Sequence, residues 1–86
     1  MVEKSIVVTN ETGLHARPAA ALVQFVKAMP GEVELVKDSK VANAKSIFSV
    51  MSLGISKGTE IVVRVNGENE EDNLQKVVDF IAGLTD

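Results

Sequence analysis

The apolar residues of this chain change their spacing from one segment to the next, and this change limits the possible folds more than any other feature. Residues 2–8 are rich in β-branched side chains, and residues 32–37 and 60–65 alternate polar with apolar residues, which is typical of strands. Residues 40–43 return as a short strand after the turn residues Asp38 and Ser39. These segments predict a sheet of four strands.

Three other segments repeat their apolar residues every three or four positions, as helices do. The first is expected to form its apolar face from Ala16, Ala19, Ala20, Val23 and Val26, with Leu22 beside it. Pro18 is tolerated only in a first helical turn, so this helix should begin near His15 or Ala16. A short second helix is predicted after Ser46. The last helix has an apolar stripe formed by Leu74, Val77, Val78 and Ile81.

The predicted order of elements is therefore β-α-β-β-α-β-α. Each helix is apolar on one face only, so all three should cover the same side of the sheet. We expect a two-layer α+β fold with a four-stranded, mainly antiparallel sheet whose other face is partly exposed to water. A chain of 86 residues is expected to form one domain over residues 1–86.

Composition excludes several classes of function. The chain has no Cys and one His, which rules out disulfide scaffolds, thiol catalysis and a self-contained metal site, and no cofactor is expected. A net charge of −3 and the absence of Trp and Tyr disfavour direct nucleic-acid binding. The N-terminus does not resemble a signal peptide, and no apolar run approaches the about 20 residues that span a bilayer. We expect a cytoplasmic protein with no membrane insertion.

The strongest chemical signal lies in residues 12–20, TGLHARPAA. A lone histidine is more often a surface or capping residue than a nucleophile, but Pro18 places His15 at the start of a helix. The free amides there, including that of Ala16, form an anion site with the helix dipole, and the Arg17 guanidinium can engage phosphate oxygens. A neutral imidazole beside such a site can attack phosphorus. The chain has no phosphate-binding loop, no set of carboxylates for Mg²⁺ and no second histidine, so such a protein could carry a phosphoryl group but has no evident means of activating ATP by itself.

Two blocks of residues resemble one known family. GLHARPA at residues 13–19 is similar to the active-site signature of HPr, the histidine-containing phosphocarrier of the bacterial phosphoenolpyruvate:sugar phosphotransferase system. KSI at 45–47, VMSLG at 50–54 and KG at 57–58 resemble the regulatory-serine segment of that family. The resemblance covers nearly the whole chain and implies an open-faced β-sandwich of the order given above.

The resemblance also implies a reaction and partners. His15 would accept a phosphoryl group on Nδ1 from enzyme I, which is charged by phosphoenolpyruvate, and pass it to sugar-specific enzyme IIA proteins. Arg17 would be the charge partner of the phosphoryl group. Some relatives lack the active histidine and act only as regulators, and the presence of His15 argues against that subclass. A pure regulator that depends on Ser46 is the alternative.

Ser46 has two compatible interpretations. Serine is a favoured N-cap, and the predicted helix begins just after it. The resemblance implies phosphorylation by an HPr kinase/phosphorylase, after which the product binds a transcriptional regulator of carbon catabolite repression. Phe48 and Ser49 depart from the family pattern, where many members have Met and Gly. A phosphate at a helix N-terminus is electrostatically favourable, so a cap can also be a phosphorylation site.

The side chains of Ile47, Phe48 and Met51 can belong to the core or to a surface patch. A short helix cannot bury every side, so we expect part of this group to stay exposed as a partner surface, and Val50 to be core. Met suits a surface that meets several partners because it repacks easily. We expect the protein to be a monomer.

Overall fold

The structure is a computed structural model, and it describes residues 1–85. Its elements follow the predicted order: β1 (Val2–Val7), α1 (Ala16–Lys27), β2 (Glu32–Lys37), β3 (Lys40–Asn43), α2 (Ile47–Ser52), β4 (Glu60–Asn66) and α3 (Glu70–Ala82). The predicted α+β class and the β-α-β-β-α-β-α order are therefore confirmed.

The four strands form one antiparallel sheet in the order β1-β4-β2-β3. β4 is the last strand in the chain, yet it lies between the first two, so that Val65 is paired with Val2 on one side and with Val33 on the other. β2 and β3 form a hairpin whose turn includes Asp38 at a φ of 55°. Aspartate tolerates this left-handed conformation better than most residues.

One face of the sheet is buried and the other is open. Along β4 the inward side chains are buried, whereas Val62 and Arg64 between them are half-buried on the outer face. Arg64 Nε lies 3.3 Å from Glu3 Oε1, and its Nη1 lies 3.8 Å from Glu34 Oε1. This ionic row on the outer face confirms the expected exposure of that face. The buried side chains of β4 are Ile61, Val63 and Val65.

α1 packs on the sheet through a face centred nearer to Leu22 than the sequence predicted. Its buried residues are Pro18, Ala19, Leu22, Val23 and Val26. The assignment of Ala16 to this face is wrong, since Ala16 is exposed, and Ala20 is only half-buried. Both lie at the margin of the face once it is rotated toward Leu22, and Ala16 also lies at the end of the helix, beyond the core.

The other two helices cover the same side of the sheet. α3 packs on β1 and β4, and its Phe80 ring stacks on Phe25 of α1 with centroids 4.5 Å apart. This contact joins α1 to α3 through apolar surface. α2 contacts α1 and β3 and places Val50 in the core, as predicted. The predicted stripe of α3 is buried at Val77, Val78 and Ile81 and half-buried at Leu74.

Candidate functional site

His15 is the residue at which α1 begins. Its backbone is extended (φ −81°, ψ −168°), and its carbonyl oxygen accepts a hydrogen bond from the Ala19 N–H at 2.8 Å. Its side chain is exposed and makes no capping hydrogen bond. The imidazole is therefore available to an approaching partner.

The first turn of α1 presents backbone donors next to this imidazole. The N–H groups of Ala16 and Arg17 have no acceptor within the helix, and Pro18 has no N–H to offer. This turn contains no acidic residue, in contrast to the first turn of α3, which contains three. The positive end of the α1 dipole is thus not offset by a carboxylate of its own first turn, which favours an anion beside His15.

The Arg17 side chain adds a charge to the same surface. It is exposed, and within residues 1–85 it forms no ion pair. Its guanidinium is free to make paired hydrogen bonds to phosphate oxygens. The structure therefore brings His15, the Ala16 amide and Arg17 together at one exposed helix end, as the sequence predicted.

The turn before His15 is fixed to the segment that follows α2. Leu14 is buried, and its N–H donates to the Ile55 carbonyl oxygen at 3.0 Å. Gly13 has a φ of +62°, and a Cβ built there would lie 2.4 Å from the same oxygen. Glycine is required at this position by the close approach of the two backbones as well as by φ.

Asn10 begins this turn, and the sequence predicts it as a turn residue only. Its side chain is 5% exposed, and its Nδ2 donates to the Gly13 carbonyl oxygen at 2.8 Å. The Gly13 N–H donates in turn to the Asn10 carbonyl oxygen at 3.1 Å. The available signal was the pairing of Asn with Gly in a turn, which is common in loops of every kind.

Ser46 is the N-cap of α2. Its Oγ accepts a hydrogen bond from the Ser49 N–H at 3.4 Å, and its carbonyl oxygen accepts one from the Val50 N–H at 3.1 Å. Its side chain is partly exposed, so a cap and a site accessible to a kinase are compatible here. The predicted cap is present, and the structure places Ser46 and His15 at the beginnings of two helices that pack against each other.

The apolar residues of α2 divide between core and surface. Ile47 is half-buried against the core, whereas Phe48 is 84% exposed and Met51 is 42% exposed. Phe48 and Met51 are three residues apart, so they share one side of the helix. They form the exposed apolar part of α2, and Ile47 lies at its edge.

Two lysines hold the ends of the helices near these sites. Lys37 Nζ donates to the carbonyl oxygens of Leu53 and Gly54, where α2 ends. Lys45 Nζ donates to those of Met29 and Gly31, after the end of α1. Lys45 is the neighbour of Ser46, but its ammonium group is engaged in this contact. The sequence did not predict these contacts, because the carbonyl oxygens that accept the hydrogen bonds lie in other segments of the chain.

The described part of the chain shows neither a metal cluster nor a membrane span. Residues 1–85 contain no group of three or more His, Cys, Asp or Glu side chains placed to hold a metal ion. None of the helices in this range has the length and apolar character needed to cross a membrane.

Comparison with known proteins gives one family. The family model described as the PTS HPr component phosphorylation site matches residues 2–83. The HPr-like protein Crh of Bacillus subtilis (strain 168) is 43% identical over 81 residues, which cover 94% of this chain and 95% of Crh. The range matched by the family model, residues 2–83, includes His15 and Ser46.

Solved structures agree with this result. The crystal structure of HPr-C-His from Thermoanaerobacter tengcongensis has a TM-score of 0.91 and 43% identity, covering 95% of this chain and 92% of that chain. The phosphocarrier protein HPr from Bacillus anthracis str. Ames has a TM-score of 0.88 and 37% identity, covering 92% and 94%.

Dimers among the relatives do not fit the expectation of a monomer. HPr of T. tengcongensis has also been solved as a dimer, with a TM-score of 0.74 and 43% identity to this chain, and Crh has been solved as a dimer as well. Because association makes apparent stability depend on concentration, variants of this chain are comparable only at one protein concentration.

Proposed function

The chain belongs to the HPr family of the phosphotransferase system, and we propose that it carries a phosphoryl group on His15 from enzyme I to sugar-specific enzyme IIA proteins in the cytoplasm. In this role the chain is a reactant that is consumed and regenerated, and it does not turn over a substrate by itself. The observation that carries the proposal is the exposed His15 imidazole at the start of α1, beside two backbone donors and the exposed Arg17, which forms no ion pair within residues 1–85.

The transfer is a displacement at phosphorus. The lone pair of the neutral His15 imidazole attacks the phosphorus atom held by the donor histidine of enzyme I. As the new N–P bond forms, the donor N–P bond breaks, and its electron pair returns to the donor imidazole. The N–H groups of Ala16 and Arg17, with the Arg17 guanidinium, stabilise the charge on the phosphoryl oxygens. In the transfer to enzyme IIA, phosphorylated His15 is the donor: the acceptor on enzyme IIA attacks the phosphorus atom, the His15 N–P bond breaks, and its electron pair returns to the His15 imidazole.

The test is the intact mass of the protein after incubation with enzyme I and phosphoenolpyruvate. We expect one added phosphate that is lost in acid, as the N–P bond of a phosphohistidine is. The His15→Ala variant should gain none, since His15 is the only histidine of the chain. An acid-stable phosphate, or labelling that survives His15→Ala, would show that another residue is the acceptor. No labelling of the wild type would favour the pure regulator.

Phosphorylation of Ser46 is proposed as the regulatory event. An HPr kinase/phosphorylase would modify the partly exposed hydroxyl, and the product would bind a regulator of carbon catabolite repression. The phosphate adds about −1.5 to −2 charges at pH 7 next to the surface that enzyme I must approach. It should weaken docking of an acidic partner and leave the imidazole of His15 unchanged.

The matched pair Ser46→Asp and Ser46→Ala tests this mechanism. The Asp variant keeps a capping oxygen and adds charge, whereas the Ala variant removes the cap and adds none. We expect Ser46→Asp to raise the KM for enzyme I, with an effect that shrinks at high salt. Equal rates for the two variants would limit Ser46 to capping. A slow Asp variant that is indifferent to salt would indicate distortion of α2 and not repulsion.

The exposed apolar part of α2 is proposed as the partner surface, with Phe48 and Met51 at its centre and Ile47 at its edge. Replacing Phe48 by Ala removes a ring that is 84% exposed in the free protein and would be covered in the complex. We expect a higher KM for enzyme I with little change in Tm. Val41→Ala is the control, because Val41 is also exposed (52%) but lies in β3. Equal effects of the two substitutions would contradict the assignment.

A further inference from the structure

Two polar residues are buried in the part of the chain that the structure describes, Asn10 and Asn73, and each is 5% exposed. Each donates a hydrogen bond from Nδ2 to a backbone carbonyl oxygen close in sequence. Asn10 bonds Gly13 at 2.8 Å, and Asn73 bonds Glu68 at 3.2 Å. Burying an amide is costly unless it is bonded, so each side chain has a defined place in its loop.

The bond of Asn10 acts on the peptide unit that leads into His15. The carbonyl of Gly13 and the N–H of Leu14 belong to the same planar unit. Asn10 Nδ2 holds the oxygen of this unit, and the Ile55 carbonyl oxygen holds its N–H at 3.0 Å. Both polar groups of one peptide plane are thus fixed from opposite sides, one by a side chain and one by a distant loop.

Without these two bonds the plane could rotate about Gly13. Gly13 has no side chain to limit rotation, and its positive φ is one of several conformations open to glycine. The buried Leu14 side chain anchors the following residue, so the orientation of the Gly13–Leu14 plane sets the direction in which the chain enters His15 and the first turn of α1.

We propose that Asn10 is a positioning residue for phosphoryl transfer at His15. It does not touch the phosphoryl group; it holds the Gly13–Leu14 peptide so that the imidazole and the amides of Ala16 and Arg17 face one point in space. The inference rests on the proposed phosphocarrier function. The expected loss of transfer rate follows from the steep dependence of the reaction on geometry, since a displacement of about 1 Å can slow a reaction by about 100-fold.

The experiment compares Asn10→Ala with Asn73→Ala as a matched control. Both remove a buried side-chain amide that bonds a local carbonyl. Asn73 lies beside Phe25 and Met29, at the opposite end of α1 from His15. Single-turnover transfer from phosphorylated enzyme I is measured over a range of enzyme I concentrations, with the Tm of each variant and the hydrogen exchange of the Leu14 amide.

We expect both variants to lose thermal stability to a similar extent, and only Asn10→Ala to lose transfer. The maximal rate of transfer to Asn10→Ala should fall about tenfold or more with little change in KM. The surfaces that dock with enzyme I are intact in this variant, whereas the orientation of the imidazole and of the helix amides is changed. Exchange of the Leu14 amide should accelerate in Asn10→Ala alone. Asn10→Asp, which keeps the shape but loses the donor, should transfer as slowly as the Ala variant.

Several results would overturn the inference. Equal slowing by Asn73→Ala would reduce Asn10 to general stability, and a wild-type rate in Asn10→Asp would show that the donated N–H is irrelevant. An effect of Asn10→Ala on KM alone would place Asn10 in docking. If the wild type accepts no phosphoryl group, the proposed function fails and the inference falls with it. If the wild type accepts the phosphoryl group and Asn10→Ala accepts it equally fast, the inference about Asn10 is wrong and the proposed function still stands.

Discussion

Replacing Gly13 by Ala should destabilise the protein far more than the same change at Gly54, although the two glycines have the same φ of +62°. At Gly54 the nearest atom to a new Cβ is Lys37 Nζ at 3.9 Å, an ordinary contact with the end of a flexible side chain. At Gly13 the Cβ would lie 2.4 Å from Ile55 O and 2.6 Å from Ser56 Cα, both backbone atoms. Comparison of the two substitutions therefore separates the loss of stability caused by the positive φ from the loss caused by placing a Cβ against backbone atoms.

The expected loss in the free energy of unfolding has two parts, one from the backbone conformation and one from the close approach. A left-handed conformation costs an L-residue about 1–2 kcal/mol, and Ala recovers about 0.4–1 kcal/mol by narrowing the unfolded ensemble. Gly54→Ala should therefore lower the free energy of unfolding by about 1 kcal/mol. Gly13→Ala carries the same cost and must also push two backbone segments apart, which adds about 1–3 kcal/mol, as overpacking does. The total for Gly13→Ala is about 2–4 kcal/mol.

The assay is urea denaturation of the wild type and both variants, with thermal unfolding in parallel. At about 4–8 °C per kcal/mol for a domain of this size, Gly54→Ala should lower Tm by about 4–8 °C and Gly13→Ala by about 8–32 °C. Equal losses in the two variants would refute the close approach between residue 13 and residues 55–56. A smaller loss at Gly13 than at Gly54 would refute the placement of this turn altogether.

Three further predictions concern charge and packing. Arg17→Ala should slow phosphoryl transfer while changing the free energy of unfolding by no more than about 0.5 kcal/mol, because the side chain is exposed; a large loss of stability with normal transfer would make the arginine structural. Leu22→Ala should cost about 2–5 kcal/mol in urea denaturation, because Leu22 is fully buried in the core (0% exposed), and a loss below 1 kcal/mol would contradict that placement. The Gly67 N–H and, after it, the N-terminal ammonium hold the pKa of Glu70 below its ordinary value of 4.5, so the stability that this carboxylate adds is present above pH 4.5 and is lost as pH falls through the lowered pKa. Unfolding followed from pH 6 to pH 3 should show a smaller loss in Glu70→Gln than in the wild type, and identical curves would exclude this contribution.

The order of the elements, and the residues at which several of them begin, follow from local patterns in the sequence. Pro18 confined the start of α1 to its own first turn, and Ser46 marked the start of α2, because proline geometry and N-capping act within one turn of the chain. The alternation in residues 60–65 identified β4 and its buried face, because alternation is also a local pattern. The sequence also predicted that His15 and Arg17 are neighbours at a helix end, since both lie in one short segment.

Which segments come into contact depends on the complete fold. The central position of β4, the bond from Leu14 to Ile55, and the capping of α2 by Lys37 join parts of the chain that no local pattern relates. The outward placement of Ala16 depends on how α1 is rotated against the sheet. Asn10 acquires a role only because Ile55 holds the other side of the Gly13–Leu14 peptide. Such contacts depend on strand register and helix packing, which are properties of the whole fold and not of any one segment.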